Sequence, residues 1–292
     1  MPSNGESSQF DAINDVAQQY YDSEDAFNFY KQVWGGSFIH VGLYDDPQVT
    51  DSMDPMERIK LASELSAKRL FATAEPLDSS SKVMDMGSAY GGNARLCAKT
   101  YGCTVTCIDI SCKENEVNRS TTAAEGLADK VLIPGERSFF ETGEPAGAYD
   151  AVVSQDSLLH AGSERCRAIE EAARVLKPGG CLVFTDIMQS NDANTAELDA
   201  VYRRIHLEDM GSPASYQAWA ERCGLKLVGF EDRTSNLAAH YGAVKGVLEA
   251  KRAELTNISP AYVDNMIRGL DAWVNAAGKS NLCWGYFLFR KQ

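Results

Sequence analysis

The chain has 292 residues, with 41 acidic against 28 basic side chains, a net charge of −13, 44% apolar content and 24% charged content. That balance over that length reads as a soluble globular protein with a substantial core, and no run of about 18 apolar residues is present to cross a membrane. Without clustered Lys and Arg, so acidic a chain excludes a general nucleic-acid surface, and an anionic ligand would need local arginines.

Met1 to Phe10 is polar, lacks the basic and apolar regions of a signal peptide, and reads as a frayed terminus. A cytoplasmic location is expected. The eight cysteines form no C-x-x-C pair. Cys103, Cys107 and Cys112 fall on and beside a strand pattern and read as reduced thiols, so no metal is expected.

From 11 to 34, apolar residues recur at three and four positions, which predicts helices broken near Asp22-Ser23 and ended by Trp34-Gly35-Gly36. Ser37 to Pro47 follows as a loop rich in aromatics and glycine, which either covers a site or packs the N-terminal helices on the core. Asp54 as N-cap and Pro55 at the first helical position open an amphipathic helix to Ala74.

The stretch Val83-Met84-Asp85-Met86-Gly87-Ser88-Ala89-Tyr90-Gly91-Gly92 then reads as a parallel strand entering a glycine turn and a helix, the ligand-binding end of an open α/β sheet. Ala89 stands where a dinucleotide turn needs its second glycine. Asp85 would repel a diphosphate but could pair with an ammonium. A cationic nucleoside without phosphate fits better, and S-adenosylmethionine is such a compound.

Thr104 to Ile110 is the second strand, closed by Asp109, which is placed either to accept from ribose hydroxyls or to cap a turn. A third strand is expected at Lys130 to Gly135, and Tyr149 to Asp156 is the fourth. Gln155, Asp156 and His160 follow at its polar end as site candidates, His160 alternatively as a structural histidine. A helix from Glu164 to Leu176 ends at Lys177-Pro178-Gly179-Gly180, before a fifth strand at Cys181 to Asp186. Helical segments carry Tyr202 to His206. Strands resume at Leu225 to Phe230 and at Leu282 to Phe289, with residues 236 to 278 helical between them. The alternation predicts a doubly wound α/β sheet.

VMDMGSAYGG, CIDIS, SQDSLLH and ARVLKPGG in this order resemble the class I S-adenosylmethionine-dependent methyltransferases. More narrowly, YYDSEDAFNFYKQVWGGSFIHVGLY, RIHLEDMGS and LCWGYFLFRK look like the sarcosine and dimethylglycine N-methyltransferases that make glycine betaine. The first of these is also similar to phosphoethanolamine methyltransferases. The resemblance implies a seven-stranded Rossmann-like methyltransferase sheet under a helical lid. N-terminal helices and lid would occupy 1–74, the cofactor core 75–187, a helical insert 188–223, and the end of the sheet with a second insert 224–292, as one unit.

Carried over by position, Tyr21 (or Tyr20) and His160 match a lid tyrosine and an acceptor-side histidine, with Tyr20 counted among the cofactor contacts. Asp85, Gly87 and Gly91 would hold the methionine part, Asp109 the ribose, Ile110, Ser138 and Phe139 the adenine, and Gln155 the edge near the methyl. Arg204, His240 and Tyr241 would face a small carboxylate-bearing acceptor. Arg137, where relatives have a small residue, and a single histidine in Asn236 to His240 depart from the betaine pattern.

An amine acceptor is mostly protonated at neutral pH, and freeing its lone pair costs roughly 4 kcal/mol for about three pKa units, so a base such as His160 with Tyr21 would help. The thioether of methylthio-hydroxybutyrate, a dimethylsulfoniopropionate precursor, needs no proton removed. N-methylation of sarcosine and dimethylglycine is the first expectation and S-methylation the alternative. A cofactor-binding protein without turnover is a third.

Overall fold

The computed structural model describes residues 4–34, 36–205 and 207–292; Gly35 and His206, part of the motifs above, lie outside the described residues. Strands β1 (Lys82–Met86), β2 (Thr104–Ile108), β3 (Val131–Leu132), β4 (Tyr149–Gln155), β5 (Leu176–Gln189), β6 (Leu225–Asp232) and β7 (Leu282–Lys291) form one sheet in the order β3-β2-β1-β4-β5-β7-β6. β7 is antiparallel to both neighbours, while the β1, β2, β3, β4 and β5 pairings are parallel.

The central strands carry apolar residues on both of their faces because both are covered. Val83, Val105, Val153 and Val183 point into one core, and the alternating Met84, Ile108, Val152 and Leu182 into the other. The first face carries α3 (Pro55–Ala74), α4 (Gly92–Tyr101), α9 (Ser235–Lys251) and α10 (Pro260–Gly278); the second carries α6 (Arg165–Val175) and α8 (Pro213–Arg222).

Several expectations change in detail. The N-terminal helix α1 runs from Asn4 to Tyr21, so the expected frayed stretch is helical from Asn4. Extending an existing helix is far easier than starting one, and no proline interrupts this stretch. Phe10 is stacked on Phe140 with 4.8 Å between centroids, which ties this turn down. The break near Asp22-Ser23 is present: Ser23 caps α2 (Glu24–Phe29), which passes into a π-helical turn at Tyr30–Trp34. β3 has only two residues, because it is an edge strand followed by Pro134 and Gly135. Lys177 to Gly180 bulge out of β5, since pairing passes from Tyr149 with Leu176 to Ala151 with Cys181.

In the insert 188–223, α8 lies against α6 and β6 through Tyr216 and Ala220. Only α7 (Asp199–Arg204) and the residues beside it reach over the ligand end of the sheet.

Asp54 caps α3 by accepting from the Met56 and Glu57 amides at 3.0 and 3.1 Å, and Pro55 follows as expected. Asp54→Ala is expected to lower stability by about 1 kcal/mol in urea unfolding with the unfolding slope unchanged. A loss under about 0.3 kcal/mol would show that the cap contributes nothing.

Candidate active site

Two cavities meet at the C-terminal ends of β1 and β4, where the strand order reverses. The larger, about 800 Å³, is a cleft running from the β1 turn past the end of β2 to Phe139. The smaller, about 370 Å³, is a chamber walled by Tyr21, Tyr30, Trp34, Tyr241 and Trp273. Tyr21, Ile39, His40, Asp156 and His160 line both. The first can take a nucleoside-sized ligand, and the second only a small molecule beside it.

The cleft is built by the turn after β1. Gly87 and Ser88 donate their amides to the Ile108 carbonyl at 2.8 and 3.2 Å, and Ala89 donates to Asp109 Oδ2 at 2.8 Å. Asp109 also accepts from the Ser111 amide at 2.9 Å, so it ties two loops together while lining the cleft. Gly91 does not line the cleft; it sits at φ 73°, and a side chain there would strike Asn118, 1.9 Å from a Cβ. Gly87 and Gly92 line the cleft, and at Gly92 a side chain would strike the Ser37 carbonyl oxygen.

Asp85 is fully buried just before this turn, behind the residues that line the cleft and not one of them, and neither of its oxygens has a partner among the described residues. Burial, reinforced by Asp109, pushes its pKa up to about 8. Asn93 Oδ1 and Glu114 Oε1, on residues that line the cleft, are likewise buried and unpartnered. These are acceptors, so the cleft asks for a ligand that brings donors and positive charge.

Gln155 lines the cleft in a fixed orientation, accepting from Asn93 Nδ2 at 3.0 Å and donating to Ser66 Oγ at 2.8 Å. Ile110 and Phe139 line the far end as expected. Ser138 does not: its hydroxyl donates to Asn14 of α1 at 3.0 Å, and Asn14 lines the cleft instead. Arg137 contributes to the wall while its guanidinium is held by the Thr142 carbonyl and Glu144. Tyr20 also lies outside the cleft. It lines an outer groove between α1, α7 and α10, its hydroxyl 3.3 Å from that of Tyr30.

At the shared wall Tyr21 and His160 are hydrogen-bonded, hydroxyl to Nε2, at 2.9 Å. Burial, then the charges of Arg165 and Arg204, pushes the His160 pKa down to about 4, and burial raises that of Tyr21 well above its usual range. The pair is therefore neutral at pH 7, and the imidazole tautomer sets which partner donates. Asp156, at φ 54°, accepts from the Val41 amide, Thr185 Oγ1 and Trp284 Nε1 at 2.8, 2.7 and 2.7 Å, and burial pushes its pKa up to about 6.

Arg204 and Tyr241 line the chamber. The guanidinium lies 5.2 and 5.0 Å from the rings of Tyr241 and Trp273, two of its nitrogens stand 3.4 Å from Met266 Sδ, and Tyr241 is hydrogen-bonded to it. No carboxylate contacts it among the described residues. His240 departs from its expected place. It stands behind Trp34, 4.8 Å between centroids, and accepts from the Gly42 amide and the Tyr44 hydroxyl at 3.3 and 3.2 Å. His40 lines the chamber instead, close to Asn93, and burial pushes its pKa down to about 4. Its signal in the sequence was the aromatic loop Ser37 to Pro47.

A family model described as a methyltransferase domain matches residues 84–184. The glycine/sarcosine/dimethylglycine N-methyltransferase of Actinopolyspora halophila is 43% identical over 92% of this chain, which spans 46% of that protein's length. The sarcosine/dimethylglycine N-methyltransferase of Halorhodospira halochloris is 40% identical over 96% of this chain and 98% of its own. A solved structure from Galdieria sulphuraria, assigned as a sarcosine dimethylglycine methyltransferase, aligns with a TM-score of 0.82 at 34% identity, over 92% of this chain and 98% of the other. Identity at this level along nearly the whole of both chains makes this protein an S-adenosylmethionine-dependent methyltransferase, belonging to the family of the sarcosine and dimethylglycine N-methyltransferases.

Proposed function

We propose that the chain transfers a methyl group to the amine of sarcosine and dimethylglycine, toward glycine betaine. The observation that carries the reading is the chamber: small, aromatic on most sides, sharing a wall with the cofactor cleft, and holding one guanidinium without a carboxylate partner among the described residues. Aromatic faces favour a methylated ammonium, and a guanidinium favours the carboxylate at the other end of the same small molecule.

The cleft fits the cofactor by its donor and acceptor inventory. Asp85 would take the ammonium, and Asp109 with Glu114 the ribose hydroxyls; Ile110 and Phe139 would enclose the adenine. S-adenosylmethionine supplies an activated methyl on a sulfonium. The rest falls to this chain's residues. Arg204 holds the acceptor's carboxylate, Tyr241 and Trp273 fix the guanidinium, and Tyr21 with His160 orients the amine at the shared wall. α1, the loop 37–47 and α7 keep water out, so the lid comprises 1–74 and the first part of 188–223 over the core 75–187, in one unit with 224–292.

No helix among the described residues is long and apolar enough to cross a membrane. The eight unpaired thiols suit a reducing compartment, and we place the enzyme in the cytoplasm.

An acceptor panel tests the reading: glycine, sarcosine, dimethylglycine, phosphoethanolamine and methylthio-hydroxybutyrate, followed by S-adenosylhomocysteine release. Turnover of sarcosine and dimethylglycine is expected. Turnover of methylthio-hydroxybutyrate alone would move the acceptor atom to sulfur and overturn it.

A further inference from the structure

Gly269 lies in the interior of α10, well away from either end of a helix that runs from Pro260 to Gly278. Glycine is a poor choice there, since it loses more backbone freedom on folding than alanine and adds no contact. Its backbone is ordinary helix, so no left-handed conformation demands it. The neighbour across the gap supplies the reason. A Cβ on Gly269 would lie 2.6 Å from Cδ, 2.9 Å from Cγ and 3.4 Å from Cβ of Arg204. The arginine's aliphatic stem therefore fills the space where a side chain of α10 would be.

Arg204 also stands alone between two spaces. It lines both the chamber and the outer groove between α1, α7 and α10, and among the described residues no other is common to the two linings. A methyl group at 269 would meet the middle of the stem, where Cδ and Cγ cannot yield without moving the guanidinium. Trp273 and Met266, on the same helix as Gly269, hold the other sides of that guanidinium.

We propose that Gly269 is a positioning residue: its missing side chain sets the depth at which Arg204 presents its guanidinium to the acceptor's carboxylate. The proposal rests on the reading of Arg204 as the carboxylate's partner. Its reach is limited to acceptor recognition, because none of the residues involved lines the cofactor cleft.

The test compares Gly269→Ala with Gly246→Ala, a glycine of α9 with nothing within 4 Å of a Cβ, and with Arg204→Ala. KM and kcat are measured for dimethylglycine and for methylthio-hydroxybutyrate, and the Kd of each is measured by calorimetry in the presence of S-adenosylhomocysteine. Gly269→Ala is expected to raise acceptor KM and Kd about tenfold, with kcat and S-adenosylmethionine affinity within about twofold and Tm unchanged or higher. Gly246→Ala is expected to raise Tm and leave KM alone. Unchanged acceptor affinity in Gly269→Ala overturns the proposal. So does a matching loss of cofactor affinity or a lower Tm, which would make the glycine a general packing residue. Arg204→Ala decides separately: acceptor affinity unchanged there removes the carboxylate role from Arg204, whatever Gly269→Ala shows. Binding of methylthio-hydroxybutyrate alone changes the acceptor, and the proposal is then judged on that acid.

Discussion

Asp85→Ala is expected to weaken S-adenosylmethionine binding by about a hundredfold at pH 7. Removing one partner of a buried, hydrogen-bonded charge pair costs about 3–5 kcal/mol. Part of that is offset because Asp85 without a ligand holds its proton up to about pH 8, so forming the pair at pH 7 already costs about 1.4 kcal/mol. The remainder, about 2–4 kcal/mol, is a factor of roughly 30 to 1,000. The same pKa fixes a pH dependence. Binding a cofactor ammonium needs the ionised carboxylate, so binding expels a proton below pH 8 and affinity should rise about ninefold from pH 6 to 7 and about fivefold from 7 to 8, then fall as the cofactor's own amine, with a pKa of about 8, loses its proton. Asp85→Asn should flatten that slope. Without cofactor the sign for stability is the reverse. Because the folded pKa lies above the unfolded value near 4, the group's contribution to folding is present at low pH and is lost as pH rises from about 4 to about 8. Calorimetric titration across this range checks both, and a pH-independent wild-type affinity would remove Asp85 from the cofactor's ammonium.

The sheet was legible in the sequence because its strands announce themselves locally. The β-branched and apolar runs at 83–86, 104–108 and 149–155 need no distant partner to be recognised, and the acids at 85 and 109 are fixed to strand ends by position alone. The direction of the closing strand β7 was not legible, because its pairing with β5 and β6 settles it. What the sequence could not carry is where loop side chains turn, since each is settled by a group far away in the chain. Gly91 faces Asn118 and Gly92 faces the Ser37 carbonyl, so the second of two adjacent glycines lines the cleft. Ser138 turns to Asn14, more than a hundred residues earlier. His40 stands in the chamber where His240 was expected, for a similar reason. Gly42 and Tyr44 capture His240 Nδ1, while the His40 carbonyl, accepting from Trp34 Nε1 and Ser63 Oγ, anchors the loop that brings its imidazole to the wall.

His160→Ala is expected to lower kcat about a hundredfold at saturating acceptor and cofactor, with S-adenosylmethionine affinity within a few-fold. The size follows from what the residue can do. With a pKa near 4, its imidazole lies about six units below an aliphatic ammonium near 10, so taking that proton at equilibrium costs about 8 kcal/mol. The 2.9 Å bond between the Tyr21 hydroxyl and Nε2 already occupies that nitrogen, and burial keeps the tyrosine protonated. The amine therefore sheds its proton before the methyl transfer, helped by a chamber that disfavours an unpaired ammonium beside Arg204. The Tyr21–His160 pair then holds the lone pair in line and fills space that water would take. Losing such alignment costs about two orders of magnitude. Two measurements separate orientation from proton removal. In the orienting role kcat/KM climbs with pH toward the amine's own pKa with no inflection between 6 and 7. The loss in His160→Ala also stays the same for a thioether acceptor, which has no proton to give up. Tyr21→Phe, which keeps the ring and loses only the hydroxyl, should fall about tenfold. An inflection near 6.5 that His160→Ala abolishes, or a loss confined to amine acceptors, would return His160 to the role of general base.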